Sequence, residues 1–305
     1  MEPQSENPLL VKFKSDIGNQ YQKYKKQHED SVNIEPQPLG YEYFPSKEEM
    51  KKYGHIHYIH DAQALDNWLI EEKQFKNKEY PRLYRGHADA SWIMKTTLLR
   101  LVEMIGCDFT CAQQKHLQNV RRVLDDEFTH QKLSLTNEDQ LLFYAQHYDK
   151  KSALLDFTRD PNIALFFASE KESAVNVNSD LADYISVITL DTIKEPDFFN
   201  WRNAYQVDNY ESVVELLERV NQPIWIAEEN SSNKRMTAQK GAFVYLSKHS
   251  NCSVEAVFKA MTDERKRGWN PLITYNLISR KLIPHIKDIL RKHDITRRTL
   301  CLEEN

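Results

Sequence analysis

Glycine is scarce, at 7 of 305 residues. So little of it argues against long flexible linkers. No GxGxxG or Walker-type loop is present either, which disfavours dehydrogenases and P-loop enzymes. A basic excess is missing too: the formal net charge is −4, so charge gives no reason to expect bulk nucleic-acid binding. Cysteines number four (Cys107, Cys111, Cys252 and Cys301), and no His or Cys pair at metal spacing completes a zinc site. No metal is expected, and the thiols read as free. No apolar run approaches the ~20 residues that cross a bilayer. The acidic, polar start MEPQSENPLL is unlike a secretory signal. A reducing cytoplasm is the expected location, with no membrane partner.

What is present suits a folded chain, with 40 % hydrophobic and 11 % aromatic residues. Leu9, Phe13, Ile17 and Tyr21 recur every four residues and predict an amphipathic helix over 8–28. The proline-bearing stretch 30–50 reads as an extended surface connector. From there single strands and helices alternate without a repeat. HIHYI (55–59) reads as a strand, Asp61 as the cap of a helix carrying Leu65, Trp68 and Leu69, and a further strand ends at Leu83–Tyr84. Helices are expected over 113–133 and from Asn137 to about Tyr148, and another starts at Asp160–Pro161, an aspartate cap followed by proline at the first turn. YISVITL, IWIA, GAFVYL and ITYNLI read as strands; YESVVELLERV, SVEAVFKAM and IPHIKDILRKH read as helices. The expected class is α+β, with residues 1–54 as helix and connector, 55–300 as the main domain and 301–305 as a tail.

Three polar stations interrupt the apolar pattern. In LYRGHADASW, Arg85 offers a planar five-donor fork suited to phosphate or carboxylate, and Gly86 leaves room for something bulky against the backbone. In QHYDKKSALLDFTRD, His147 closes a helix and titrates near neutrality in its ordinary state, while Asp156 lies between apolar residues with Arg85 or Arg159 as partners. Thr158 and Asp160 read as turn and cap residues. In RMTAQKGAF, Gln239 and Gly241 are expected to begin a strand. The histidines of HIHYIH tempt a metal reading, but only His55 and His57 share a strand face and no carboxylate is spaced to join them. Asp156, Asp160 and Glu170 fit a nuclease-type metal poorly.

Together the stations resemble the FRG domain, a bacterial family named for an aromatic-Arg-Gly motif. Tyr84-Arg85-Gly86 matches the signature, QHYDKKSALLDFTRDPNIALFFA is similar to the central block, and Arg235 to Phe243 looks like the third. The family usually has Gly-Leu-Pro-Thr-Arg where this chain has Asp149-Lys150-Lys151-Ser152-Ala153, so no role of that arginine carries over. The layout is also similar to that of ADP-ribosyltransferases. That likeness implies a split, mainly antiparallel sheet flanked by helices, with NAD as substrate. Arg85 would grip the NAD diphosphate or a ribose, with Tyr84, Gly86 and Arg159 beside it. His147 and Thr158 would line the cleft, and Tyr148 would stack on nicotinamide. Gln239 would hold the ribose 2′-hydroxyl, and Asp156 would supply negative charge if it faced the cleft. The implied function is an ADP-ribosyltransferase or NAD glycohydrolase acting as a bacterial toxin or anti-phage effector on a protein or nucleic-acid acceptor. The alternative is a non-catalytic module that binds a nucleotide or protein through the same residues.

Overall fold

The computed structural model describes residues 43–75, 81–106, 112–113, 115, 146, 152–170, 179–192, 199–203, 224–228, 234–246, 252–264 and 272–302. The expected helices over 8–28 and 210–220, and nearly all of those over 113–133 and 137–148, lie outside these residues. The chain divides into two compact units. One comprises residues 1–41, 95–154 and 210–216, and the other residues 42–94, 155–209 and 217–305.

In the first unit, helix α3 (Thr97–Ile105) is capped by Thr96, whose hydroxyl accepts the Leu99 N–H, and it ends at Gly106 with φ of 66°. That left-handed residue is where a glycine costs least. Lys95 pairs with Glu103 along the same helix at 2.7 Å.

The second unit is built on a mixed sheet. Its elements are α1 (Lys47–Met50), β1 (His55–Ile59), α2 (Ala62–Gln74), β2 (Arg82–His87), β3 (Leu154–Thr158), α4 (Pro161–Ser169), β4 (Tyr184–Asp191), β5 (Phe199–Asn203), β6 (Ile224–Glu228), α5 (Lys234–Gln239), β7 (Gly241–Tyr245), α6 (Val254–Glu264), β8 (Ile273–Ser279) and α7 (Ile283–Lys292). The eight strands run in the order β1-β8-β4-β2-β3-β7-β6-β5. The β4–β8, β2–β4, β2–β3 and β6–β7 pairs are antiparallel, whereas β1–β8 and β5–β6 are parallel. This is the expected α+β class with a mainly antiparallel sheet. The sheet is narrow at its centre, where Tyr84↔Thr158 is the one register pair joining β2 to β3.

Two apolar clusters cover the two faces. Alternation along β2 sends Leu83 to one and Tyr84 to the other. On the Leu83 face, Phe157, Ile188, Tyr275 and Leu277 pack with Phe44, Met50, Met94 and, from α6, Val254, Val257 and Phe258. On the Tyr84 face, α2 contributes Leu65, Trp68 and Leu69, α4 contributes Ile163 to Phe166, and α7 contributes Ile286, Ile289 and Leu290. Phe44 and Met50 are 1 % and 0 % exposed, so the end of the expected surface connector belongs to the core instead. Its bulky apolar side chains outweigh the extended, proline-bearing pattern that precedes them.

The helix starts follow the expected chemistry. Asp61 accepts the Ala64 N–H at 2.8 Å. Asp160 accepts the Asn162 N–H at 2.9 Å, with Pro161 in the first turn of α4. Two elements differ from expectation. β2 continues through Arg85 and Gly86 to His87, so the motif lies within a strand rather than at its tip. Lys234–Gln239 forms a short helix, and the strand begins only at Gly241. Between them Lys240 has φ of 45°, a left-handed residue that ends the helix.

Candidate functional site

The motif strand places its residues by parity. Tyr84 and Gly86 face α2, α4 and α7; Arg85 and His87 face the other side of the sheet, which α6 covers. A Cβ built on Gly86 would stand 2.0 Å from the Ala164 carbonyl oxygen and 2.7 Å from the Ala168 nitrogen. The bulky object against this glycine is therefore the backbone of α4, which approaches through its two alanines. Glycine is needed here for contact, not for an unusual φ.

Tyr84 is equally structural. It is 2 % exposed, and its hydroxyl donates to Glu72 Oε2 at 2.7 Å. Burial, with Glu72 beside it, holds the phenol well above its usual range. The same oxygen accepts Arg82 Nη1 at 3.0 Å, while Arg82 Nη2 reaches Asp191 at 3.2 Å.

On the opposite face Arg85 is half-buried. Its Nε donates to His87 Nε2 at 3.1 Å, which leaves the ring proton of neutral His87 on Nδ1. Its Nη1 donates to the Asp156 carbonyl oxygen at 2.5 Å. This second bond crosses the narrow β2–β3 seam, so the guanidinium ties together two strands that share one register pair. His87 is 4 % exposed and meets the Trp92 ring at 5.8 Å between centroids. The loop between them is fixed by buried Asp89, which accepts the Ser91 N–H and hydroxyl at 2.9 and 2.6 Å.

Helix α6 brings a carboxylate to this face. Glu255 lies in the first turn of the helix and is 1 % exposed; its Oε1 accepts the Met94 N–H at 2.8 Å. Burial pushes its pKa up to about 7, opposed by the Met94 and Glu255 backbone N–H groups, by the positive charge of Arg85 and by a hydrogen bond from the Ser253 side chain. Tyr275, on β8, is fully buried, and burial with Glu255 nearby holds its phenol well above the usual range. The register sets Tyr275 opposite Ile188 and Ile188 opposite Arg85, so these three form one row across the sheet.

The other expected residues lie elsewhere. Asp156 is exposed, not drawn inward, and on β3 it shares the parity of Thr158, which pairs with Tyr84. Leu155 and Phe157 take the apolar places on the Arg85 face, so Asp156 points to the side of α2, α4 and α7. Thr158 is 4 % exposed, and its hydroxyl donates to the Gln239 carbonyl oxygen at 2.7 Å. Gln239 ends α5 rather than starting a strand. Its side-chain amide donates to the Leu300 carbonyl oxygen at 3.1 Å, holding the C-terminal segment. Arg159 is exposed, and its backbone N–H donates to Lys240 O at 3.0 Å. His147 and Tyr148 lie outside the described residues.

Arg85 thus stands on one side of the sheet, while Asp156, Thr158 and Gln239 belong to the other. Sequence reasoning missed His87 and Glu255. His87 could have been found by two-residue alternation, had the strand been carried past Gly86. Glu255 was masked by its surroundings, because a glutamate in the first turn of SVEAVFKAM looks like an ordinary partner of the helix dipole. His57 Nδ1 lies 3.1 Å from Asn276 Oδ1, and among the described residues no three His, Cys, Asp or Glu side chains converge as a metal site. No described helix is long and apolar enough to cross a membrane.

No curated protein and no solved structure matches the chain. The block that runs from the Arg85 strand through α4, residues 81–176, matches the family model of the FRG domain.

Proposed function

We propose that the chain is an NAD-using enzyme that transfers or hydrolyses ADP-ribose, with its site on the Arg85 face of the sheet. The observation that carries this reading is the setting of Arg85. Its guanidinium is half-buried and held by its own sheet at two points, on His87 and on the Asp156 carbonyl oxygen. A fork fixed in this way meets a diphosphate with little further loss of rotamer freedom. Cleavage of the nicotinamide bond passes through a cation-like sugar, and positioning and electrostatics supply most of the acceleration for such a step. His147 and Tyr148 enter through the resemblance alone, and so does the role of a bacterial toxin or anti-phage effector acting on a macromolecular acceptor.

The test is nicotinamide release from NAD by the wild type and Arg85→Ala, compared alongside their melting temperatures. Release by the wild type, reduced at least ~100-fold in a folded Arg85→Ala, supports the reading. Intact NAD with the folded wild type overturns it.

A non-catalytic module that binds a nucleotide or protein is the second reading. It is favoured by Gln239, which the likeness assigns to a ribose hydroxyl but whose amide holds Leu300. This reading expects Arg85→Ala to lose ligand affinity while the wild type leaves NAD unchanged.

A further inference from the structure

Residues 281–298 carry six lysines or arginines against two aspartates, in a chain whose formal net charge is −4. Helix α7 turns Ile286, Ile289 and Leu290 into the core, so Lys287, Arg291 and Lys292 stand outward and exposed. Exposed Lys281 precedes the helix, and exposed Arg298 follows it. The turn that carries Arg298 is fixed in place. Ile295 N–H donates to Leu290 O at 2.9 Å, Leu302 N–H donates to Arg297 O at 2.8 Å, and Leu300 is buried. From α2, exposed Lys73 comes within 3.3 Å of His293 Nε2 and adds a cation at the end of α7. Among the described residues the side chains of Lys281, Lys287, Lys292 and Arg298 form no hydrogen bond or ion pair. Arg291 and Arg297 pair with Asp288 and Glu170, but their side chains are 78 % and 52 % exposed, so these pairs hold them weakly. Elsewhere in this unit Lys51, Lys52 and Lys240 are each matched by a carboxylate, and Lys47 lies over the Tyr184 ring. Lys234, at the start of α5, is a lone exception.

We propose that this strip, Lys281 to Arg298 with Lys73, docks the phosphate backbone of a nucleic-acid duplex. Charge complementarity selects the class. A duplex presents one negative charge per ~1.7 Å of its axis, and α7 alone runs for about 15 Å, so several phosphates come within reach of the strip. Residues 281–302 contain no Phe, Tyr or Trp, so the strip offers no platform on which an unpaired base could stack. Contact is therefore with the backbone, and carries no sequence preference. A protein partner fits less well, because interface centres are apolar and poor in lysine. The exposed large hydrophobic side chain among the described residues is Ile70, on α2, and a single residue makes no patch. A membrane surface fits less well too, since the apolar face of α7 is already spent on the core and has nothing to insert. The assignment does not depend on reading Arg85 as an NAD-binding group.

The test is fluorescence anisotropy with labelled DNA and RNA duplexes of about 20 base pairs, read between about 50 and 200 mM salt. The strip variant combines Lys287→Gln, Lys292→Gln and Arg298→Gln. A control combines Lys51→Gln, Lys52→Gln and Lys234→Gln, which removes the same charge from exposed side chains elsewhere. Melting curves confirm that both fold. The strip variant is expected to bind at least about tenfold more weakly than the wild type, with a salt slope shallower by about 2–3. The control is expected to keep wild-type affinity within about twofold. That pattern on either duplex supports the strip, and a preference between DNA and RNA names the backbone it takes. Equal weakening in the strip and control variants overturns the proposal, since net charge alone would then account for binding. A folded wild type that binds neither duplex at about 50 mM salt also overturns it, as does binding to phosphatidylserine vesicles without binding to either duplex.

Discussion

Glu255 and Gly86 show how one side chain, or its absence, sets the chemistry of each face. The Glu255 carboxyl is raised from its ordinary 4.5 to about 7 by burial. Between those values the native protein holds the proton more tightly than the unfolded chain does. Stability therefore falls as pH rises through that window and levels off above it. The integrated loss is about 3 kcal/mol, and Glu255→Gln is expected to abolish it. Urea unfolding of both proteins at pH 5 and pH 8 measures the difference; parallel behaviour would contradict the buried, high-pKa assignment. Gly86→Ala is expected to lower stability by about 3 kcal/mol or more, because its Cβ meets backbone atoms of α4 rather than a movable side chain. A melting curve unchanged from the wild type would show that α4 does not approach this closely.

Among the elements, α4 depends most on its ends. Asp160 caps it through Oδ1 and pairs through Oδ2 with Lys240 at 2.7 Å. Lys240 is 60 % exposed in its side chain, so the ion pair contributes little beside the cap. Asp160→Ala is thus expected to cost about 1–2 kcal/mol, and Lys240→Ala much less, as read from denaturant midpoints. The C-terminal segment is held similarly: Leu300 is 2 % exposed against the α2–α4–α7 cluster, and its carbonyl accepts from Gln239. Leu300→Ala is expected to destabilise by about 2–4 kcal/mol without changing ligand affinity on the Arg85 face. Loss of affinity at full folding would contradict the separation of faces. Most elements were legible because their signals are local. Asp160-Pro161 starts a helix wherever it sits, and YISVITL is β-branched and apolar along its length. The helix Lys234–Gln239 was not legible. RMTAQ has no apolar period long enough to mark a helix, and its one buried residue, Met236, lies against Gly241.

For the second unit as a whole, the sheet acts as a partition. Arg85 and Glu255 share a face and an electrostatic coupling, whereas Gln239 serves the other. A double-mutant cycle on ADP-ribose affinity should therefore show coupling of at least ~0.5 kcal/mol between Arg85→Ala and Glu255→Gln. Arg85→Ala and Gln239→Ala should add within about the same margin. The reverse pattern would restore the arrangement that the linear motif suggested.

The sequence alone determined the α+β class, most strands and helices, the capped start of α4 and the prominence of Arg85. Each of these depends on alternation, periodicity or capping within a few neighbouring residues. Only the tertiary structure decided which polar residues share a side. One residue of shift along a strand moves a side chain through the sheet, and Glu255 comes from a helix 170 positions beyond Arg85. Strand register and helix docking bring these residues to one face and carry Thr158 and Gln239 to the other, and no local pattern encodes that pairing.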